Sequence, residues 1–194
     1  MLMEDTQPQT DGRRRRSQQS RDRIVAAMMA LVEEGQISPI AEQVAERAQV
    51  GLRSVFRHFN DMESLFAEMA VRLTRHYQGA LVPFASGDWK GQLFEAMDRR
   101  IDIYEKLLPY KRAADAHRHS SPALQANHSE TSRLLRARLR NMLPPALDDD
   151  AVAIETLDFL LSFDSWQRLR VEQNLSPEVA RAVIEGQVKA FVAA

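Results

Sequence analysis

The stretch Val44-Ala45-Glu46-Arg47-Ala48-Gln49-Val50-Gly51-Leu52-Arg53-Ser54-Val55-Phe56-Arg57-His58-Phe59 decides how this chain folds. It divides into two short helices joined by a tight turn. Neither is long enough to be stable alone in water, so both must pack against a third. Val44, Ala45 and Ala48 on one helix can meet Val50 and Val55 from the next, with Leu31 of the preceding helix closing a small core. The small side chain of Ala45 permits a close crossing. This packing projects Arg53, Ser54, Arg57 and His58 outward, beside the core residues Val55 and Phe59. Arginine and serine are side chains that reach base edges or phosphates in a major groove.

Outward from this stretch the chain reads as helix almost throughout. The preceding helix runs over about residues 20 to 34, with Ile24, Ala27, Met28 and Leu31 at spacings of three and four and Gly35 as its stop. Ser38-Pro39 reads as an N-cap followed by proline at the first helical position, opening a short helix that ends near Arg47. A helix over about 61 to 78 carries Leu65, Met69 and Leu73 on one face. Beyond Gly87 the periodicity predicts longer helices at about 88 to 107, 109 to 118, 122 to 143, 149 to 173 and 177 to 192. Ser121-Pro122 and Ser176-Pro177 repeat the cap-then-proline signal, and Pro144-Pro145 forces a break. No segment alternates with period two and β-branched enrichment, so no sheet is expected. The fold class is all-α.

The bulk numbers set the frame. With 194 residues the chain can build one large domain or two small ones. Its 44% hydrophobic and 27% charged residues are those of a soluble globular protein. It contains no cysteine, which removes disulfides and thiolate metal sites and suits a reducing cytoplasm. No apolar run approaches a membrane span, and the polar N-terminus is not a signal peptide. The expected localisation is cytoplasmic, with no membrane partner. Net charge is only −1, but its distribution is uneven: Gly12 to His58 carries nine arginines against five acids. A basic end on a near-neutral chain suits a local polyanion-binding surface. Residues 1–18, rich in Gln, Thr, Asp and Arg, are expected to be a disordered arm.

Catalytic signatures are missing from the sequence: it has no glycine-rich phosphate loop, no nucleophile elbow, no His-Glu metal motif and no cysteine nucleophile. His117, His119 and His128 invite a metal reading, but one-residue spacing on a helix turns the first two about 200° apart. Neither an enzyme nor a metal or cofactor site is expected, and a polar connection is the default for that region.

The runs Arg23-Ile24-Val25-Ala26-Ala27, Glu33-Glu34-Gly35, Val44 to Val50, Val55 to Phe59 and Asp61-Met62-Glu63-Ser64-Leu65 resemble the N-terminal domain of the TetR/AcrR transcriptional regulators. The match covers residues 21 to about 66. Trp166-Gln167-Arg168-Leu169-Arg170 and Leu175-Ser176-Pro177-Glu178 are similar to the last two helices of many members. The resemblance implies a three-helix helix-turn-helix DNA-binding domain over residues 19–66. A helical effector-binding and dimerisation domain would follow over 67–194. Residues 52–58 would be the recognition helix, with Arg53 and Ser54 nearest the bases and Gln43, Gly51, Leu52, Phe56, Arg57 and His58 completing the contact set.

This chain departs from the family at four positions. Phe56 stands where the family usually has a phosphate-binding tyrosine, Met62 where it prefers lysine, Gln49 where it has the turn glycine, and Gly51 where it has a Ser/Thr cap. Gln49 at a turn needing positive φ costs about 1 kcal/mol. The tract Arg13–Arg16 is expected to replace the lost phosphate contacts, unless Arg21, Arg57 and the helix N-termini suffice.

The segment from Ala151 to Val171 is apolar on more than one face, which calls for a second buried surface and makes a homodimer the economical reading. Ala182, Gly186 and Ala190 on the last helix allow close approach. Phe94, Met97, Ile101 and Tyr104 form a stripe that can line one side of an effector pocket, with Phe159, Phe163 and Trp166 on the other, although such stripes are more often core. Asp158 and Asp164 fit rim or interface ion pairs. The function implied is a homodimeric repressor released from palindromic double-stranded operator DNA by a small-molecule effector. An activator, or a partner-binding module without ligand control, is the alternative.

Overall fold

The computed structural model describes residues 8–75, 77, 81–148 and 150–193. These form helices α1 (Pro8–Glu33), α2 (Ala41–Arg47), α3 (Leu52–His58), α4 (Met62–Thr74) and α5 (Trp89–Arg118). The order continues with α6 (Pro122–Met142), α7 (Pro145–Asp148), α8 (Ala151–Leu160), α9 (Phe163–Gln167), a π-helical segment at Arg168–Glu172 and α10 (Pro177–Ala193). There is no strand among the described residues, and no described helix is long and apolar enough to cross a membrane.

The chain divides into two compact units. One takes the chain up to Arg72 together with Pro109–Leu124, and the other takes Leu73–Leu108 and the chain from Gln125 onward. The first unit thus borrows the last turns of α5, a return that helical periodicity does not reveal. In it, Ile24, Met28 and Leu31 of α1 are buried with Val44, Ala45 and Ala48, with Val55 and Phe59, and with Leu65 and Phe66 of α4. The expected small core is present, with Val50 half-buried.

Several boundaries differ from expectation, each for a local reason. Helix α1 reaches back to Pro8, so Arg13–Arg16 lie on a helix where a disordered arm is expected; residues 1–7 of that arm fall outside the described residues. Ser38 does not cap α2. Its hydroxyl meets His117 Nε2 at 2.9 Å, and α2 opens after Ile40, whose N–H donates to Gln43 Oε1 at 3.0 Å. Pro109 does not divide α5, because buried side chains flank it on both sides: Leu107 before, Tyr110 and Ala113 after. The loss of one backbone bond at proline is tolerated when packing holds both halves. The cap-then-proline signals at Ser121 and Ser176 do open α6 and α10, each hydroxyl accepting from a backbone N–H three residues on at 3.3 Å.

The expected single helix at 149–173 is broken. Asp150 caps α8 through Val152 and Ala153 N–H, and α8 stops at Leu161. Ser162 starts α9 by accepting from Ser165 N–H at 3.1 Å. The stop is imposed from outside the segment. Arg100 Nη1 and the Tyr104 hydroxyl donate to the Leu161 carbonyl at 3.1 and 3.0 Å, occupying an acceptor at the helix end. Asp158 pairs with Arg136 at 3.0 Å, within the chain.

Candidate nucleic-acid interface

The turn between α2 and α3 is what aims α3. Val50 N–H donates to Ala45 O at 3.0 Å and Gln49 N–H to Glu46 O at 3.0 Å, the paired bonds of a Schellman stop. Such a stop puts its next residue in the left-handed region, and Gln49 has φ +53°. Helix α1 ends in the same way: Gln36 N–H donates to Leu31 O, Gly35 N–H to Val32 O, and Gly35 has φ +98°. The glutamine is therefore held in the conformation expected of that position, with its Cβ crowding the backbone.

Helix α3 buries Val55, with Phe59 closing the core behind it, and turns Leu52, Arg53, Phe56 and Arg57 to solvent; Ser54 is half-buried. Gly51 is the extended residue ahead of its first turn, and Ser54 N–H donates to the Gly51 carbonyl at 2.7 Å. Phe56 is 47% exposed, a large apolar ring on the face that carries the arginines. Gln43 is exposed on α2, with its side-chain oxygen already engaged at the Ile40 N–H.

His58 departs from the expected outward set. It is half-buried, its Nε2 is shut off from solvent without a partner among the described residues, and its carbonyl accepts from Arg21. Burial, then the charges of Arg57 and Arg21, push its pKa down, which favours the neutral ring. A neutral, inward imidazole is a packing element and not a cation for phosphate.

Arg21 is likewise committed to the protein. Nη1 donates to His58 O at 3.1 Å, Nη2 to Glu68 Oε2 at 2.7 Å, and the guanidinium lies 4.4 Å from the centre of the Phe59 ring. Arg72 extends the network to Asp22 at 2.5 Å and Glu68 at 3.2 Å. Helices α1 and α4 and the end of α3 are thereby locked together. Sequence reading missed this role, although arginine and glutamate at interior helix positions are the signal that carries it.

Among solved structures the chain is similar to a transcriptional regulator from Rhodococcus sp. Rha1, at TM-score 0.71 and 21% identity over 90% of this chain and 96% of that one. It is also similar to a putative TetR-family transcriptional regulator from Rhodococcus sp., at TM-score 0.61 and 16% identity over 89% and 98%. The chain has the TetR fold. A third likeness is to NalD of Pseudomonas aeruginosa, the secondary repressor of the MexAB-OprM multidrug efflux pump, at TM-score 0.50 and 18% identity over 90% and 96%. No family model and no curated protein matches the chain.

In the second unit of this TetR fold, the expected effector stripe lies inside. Met97, Ile101, Tyr104, Phe163 and Trp166 are buried, and Phe94 is half-buried. The Tyr104 and Phe163 rings meet edge-on at 5.5 Å, and the Trp166 indole donates to Glu105 at 3.0 Å. Phe159 is 67% exposed and does not join them, because it lies about 200° around α8 from the buried Leu157, on the outer face. Ile101 and Trp166 do line a cleft of about 170 Å³ with Glu105, Pro177 and Arg181. Among the described residues no group of three or more His, Asp or Glu side chains is placed to hold a metal ion, and His117 stacks against Phe66 at 4.1 Å.

Proposed function

We propose that this chain is a DNA-binding transcriptional repressor that enters the major groove with α3. The observation that carries the proposal is the pairing of a buried and an exposed face on one short helix: Val55 anchors it, while Arg53 and Arg57 stand on the free side with Ser54 half-buried at its edge. Arginine forks suit guanine edges and phosphates, and serine suits either. Phe56 lacks the hydroxyl of a phosphate-binding tyrosine; its exposed ring is suited to a thymine methyl group.

A homodimer with two-fold symmetry fits this reading, placing two copies of α3 in successive major grooves of a palindromic site. Val152 and Phe159 of α8 and Val179 and Val183 of α10 are exposed apolar side chains that a second subunit would cover. Repression has a parallel in the NalD likeness, and release by a small-molecule effector rests on the cleft beside Ile101 and Trp166, a place for a small ligand.

The test is an electrophoretic shift of DNA from upstream of the chain's own gene, with a scrambled duplex as competitor. A specific complex is expected. Arg53→Ala should weaken it roughly 5- to 150-fold, by the ~1–3 kcal/mol of a base contact, while leaving scrambled-DNA binding nearly unchanged. Equal losses on both duplexes demote Arg53 to a phosphate contact. Absence of any DNA binding sinks the proposal in favour of a partner-binding module.

A further inference from the structure

Helix α1 is longer than its packing requires. Burial along it begins at Ser20, which is 9% exposed, whereas residues 13–19 are all exposed. The helix nevertheless continues through them to Pro8. Some two turns therefore stand clear of the first unit, and they carry Arg13, Arg14, Arg15 and Arg16. None of the four is in an ion pair with a carboxylate whose side chain the structure describes, and like charges set close together on an exposed helix repel one another.

Helical geometry separates the four by direction. The buried stripe of α1 runs Ser20, Ile24, Met28, Leu31, and the same spacing of three and four carried outward passes through Ser17 to Arg13. Arg14 lies seven residues before Arg21, so it shares Arg21's face, about two turns further out. That face meets the end of α3, since Arg21 donates to the His58 carbonyl. Arg15 is turned about 180° from the buried stripe, and Arg16, whose Nε donates to Gly12 O at 3.2 Å, lies on the flank away from Arg14.

We infer that the projecting turns of α1 form a second phosphate-binding element, with Arg13 and Arg14 on the backbone of the duplex beside the groove that α3 enters and Arg15 and Arg16 facing away from it. The inference rests on the DNA-binding reading above. It differs from a flexible basic arm, because a helix presents two of its four arginines and withholds the other two. It also supplies cations that Arg21 cannot, Arg21 being tied to Glu68 and the His58 carbonyl.

The experiment compares three full-length proteins on a labelled duplex of scrambled sequence, measuring affinity by anisotropy from ~50 to ~200 mM salt. They are the native chain, the double variant Arg13→Ala/Arg14→Ala, and the double variant Arg15→Ala/Arg16→Ala. Both variants lose the same charge from exposed positions, and their circular dichroism and melting should match the native protein. The first should lower the slope of log affinity against log salt by about 2 per bound subunit, close to 0.9 for each lost phosphate contact. The second should leave the slope within about 0.5 of the native value. Equal losses in the two variants, or none in either, overturn the inference while leaving DNA binding intact. A native chain that binds no duplex overturns the functional reading, and this inference falls with it.

Discussion

Two arginines, one in each compact unit, hold a carbonyl at the end of a short helix, and they do it in different surroundings. Arg21 donates to His58 O at the end of α3 and also reaches Glu68, with its side chain 31% exposed. Arg100 donates to Leu161 O at the end of α8 and to Leu135 O of α6, and is 4% exposed. The first has its charge matched by a carboxylate in partly wet surroundings. The second donates to two carbonyls and sits against the Tyr104 hydroxyl, with no carboxylate among the bonds described, so the negative end of α8 supplies part of the compensation. A recognition helix thus rests on an ion-pair network at a surface, whereas the break that ends α8 rests on a cation sealed in the core.

The sharpest way to break this comparison is to remove Arg100. Arg100→Ala should lower stability by about 2–4 kcal/mol, through the lost stem packing and two carbonyls left short of a donor in the interior. Arg100→Met, which keeps much of the volume, should recover part of that and still cost about 1–3 kcal/mol. Leu161 keeps the Tyr104 hydroxyl, whose own ionisation burial suppresses, so the helix end is loosened rather than abolished. Denaturant unfolding measures both values. A methionine variant as stable as the native chain would mean that the desolvation cost of the guanidinium equals everything its hydrogen bonds return.

Arg21 should matter less for stability and more for binding. Arg21→Ala removes a charge-assisted bond, a carbonyl bond and a ring contact, all partly exposed, for about 1–2 kcal/mol after solvent screening. Because the lost bonds hold α3 and touch no phosphate, DNA affinity should fall while the salt slope stays at the native value. A slope reduced by about 1 per subunit would instead place Arg21 on the DNA backbone and dissolve the contrast with Arg100.

The two arginines also mark how far the sequence could be read. The region around α2 and α3 was legible because its determinants are local: a short apolar set, a Gly35 stop, and a turn position at Gln49 whose positive φ follows from the helix ending there. The break at Leu161 was not legible, since its donors lie 57 and 61 residues away on α5. Arg100 did leave a trace. It falls three residues after Met97 and four before Tyr104, inside the apolar stripe, where a solvated charge does not belong. The same stripe was readable as pocket lining only because periodicity reports which side chains share a face, not whether space is left beside them. Ser38-Pro39 misled for a related reason: His117, far along the chain, takes the hydroxyl that would have capped α2.

Helix α2, just ahead of α3 in the chain, has an end closed by its own backbone, and it offers the smallest and most local test. Gln49 completes the Schellman bonds at φ +53°, where a glycine would sit without strain, as Gly35 does at the end of α1. Gln49→Gly should therefore raise stability by about 1 kcal/mol, less a few tenths for the added freedom of the unfolded chain. Gly35→Ala should lower it by about 1 kcal/mol for the mirror reason. Opposite shifts in the unfolding midpoint would show that these stops are set by backbone conformation alone. A glycine at position 49 that gains nothing would mean the glutamine side chain contributes a contact worth its own strain, and α2 would join α3 and α8 as a helix whose end depends on a side chain.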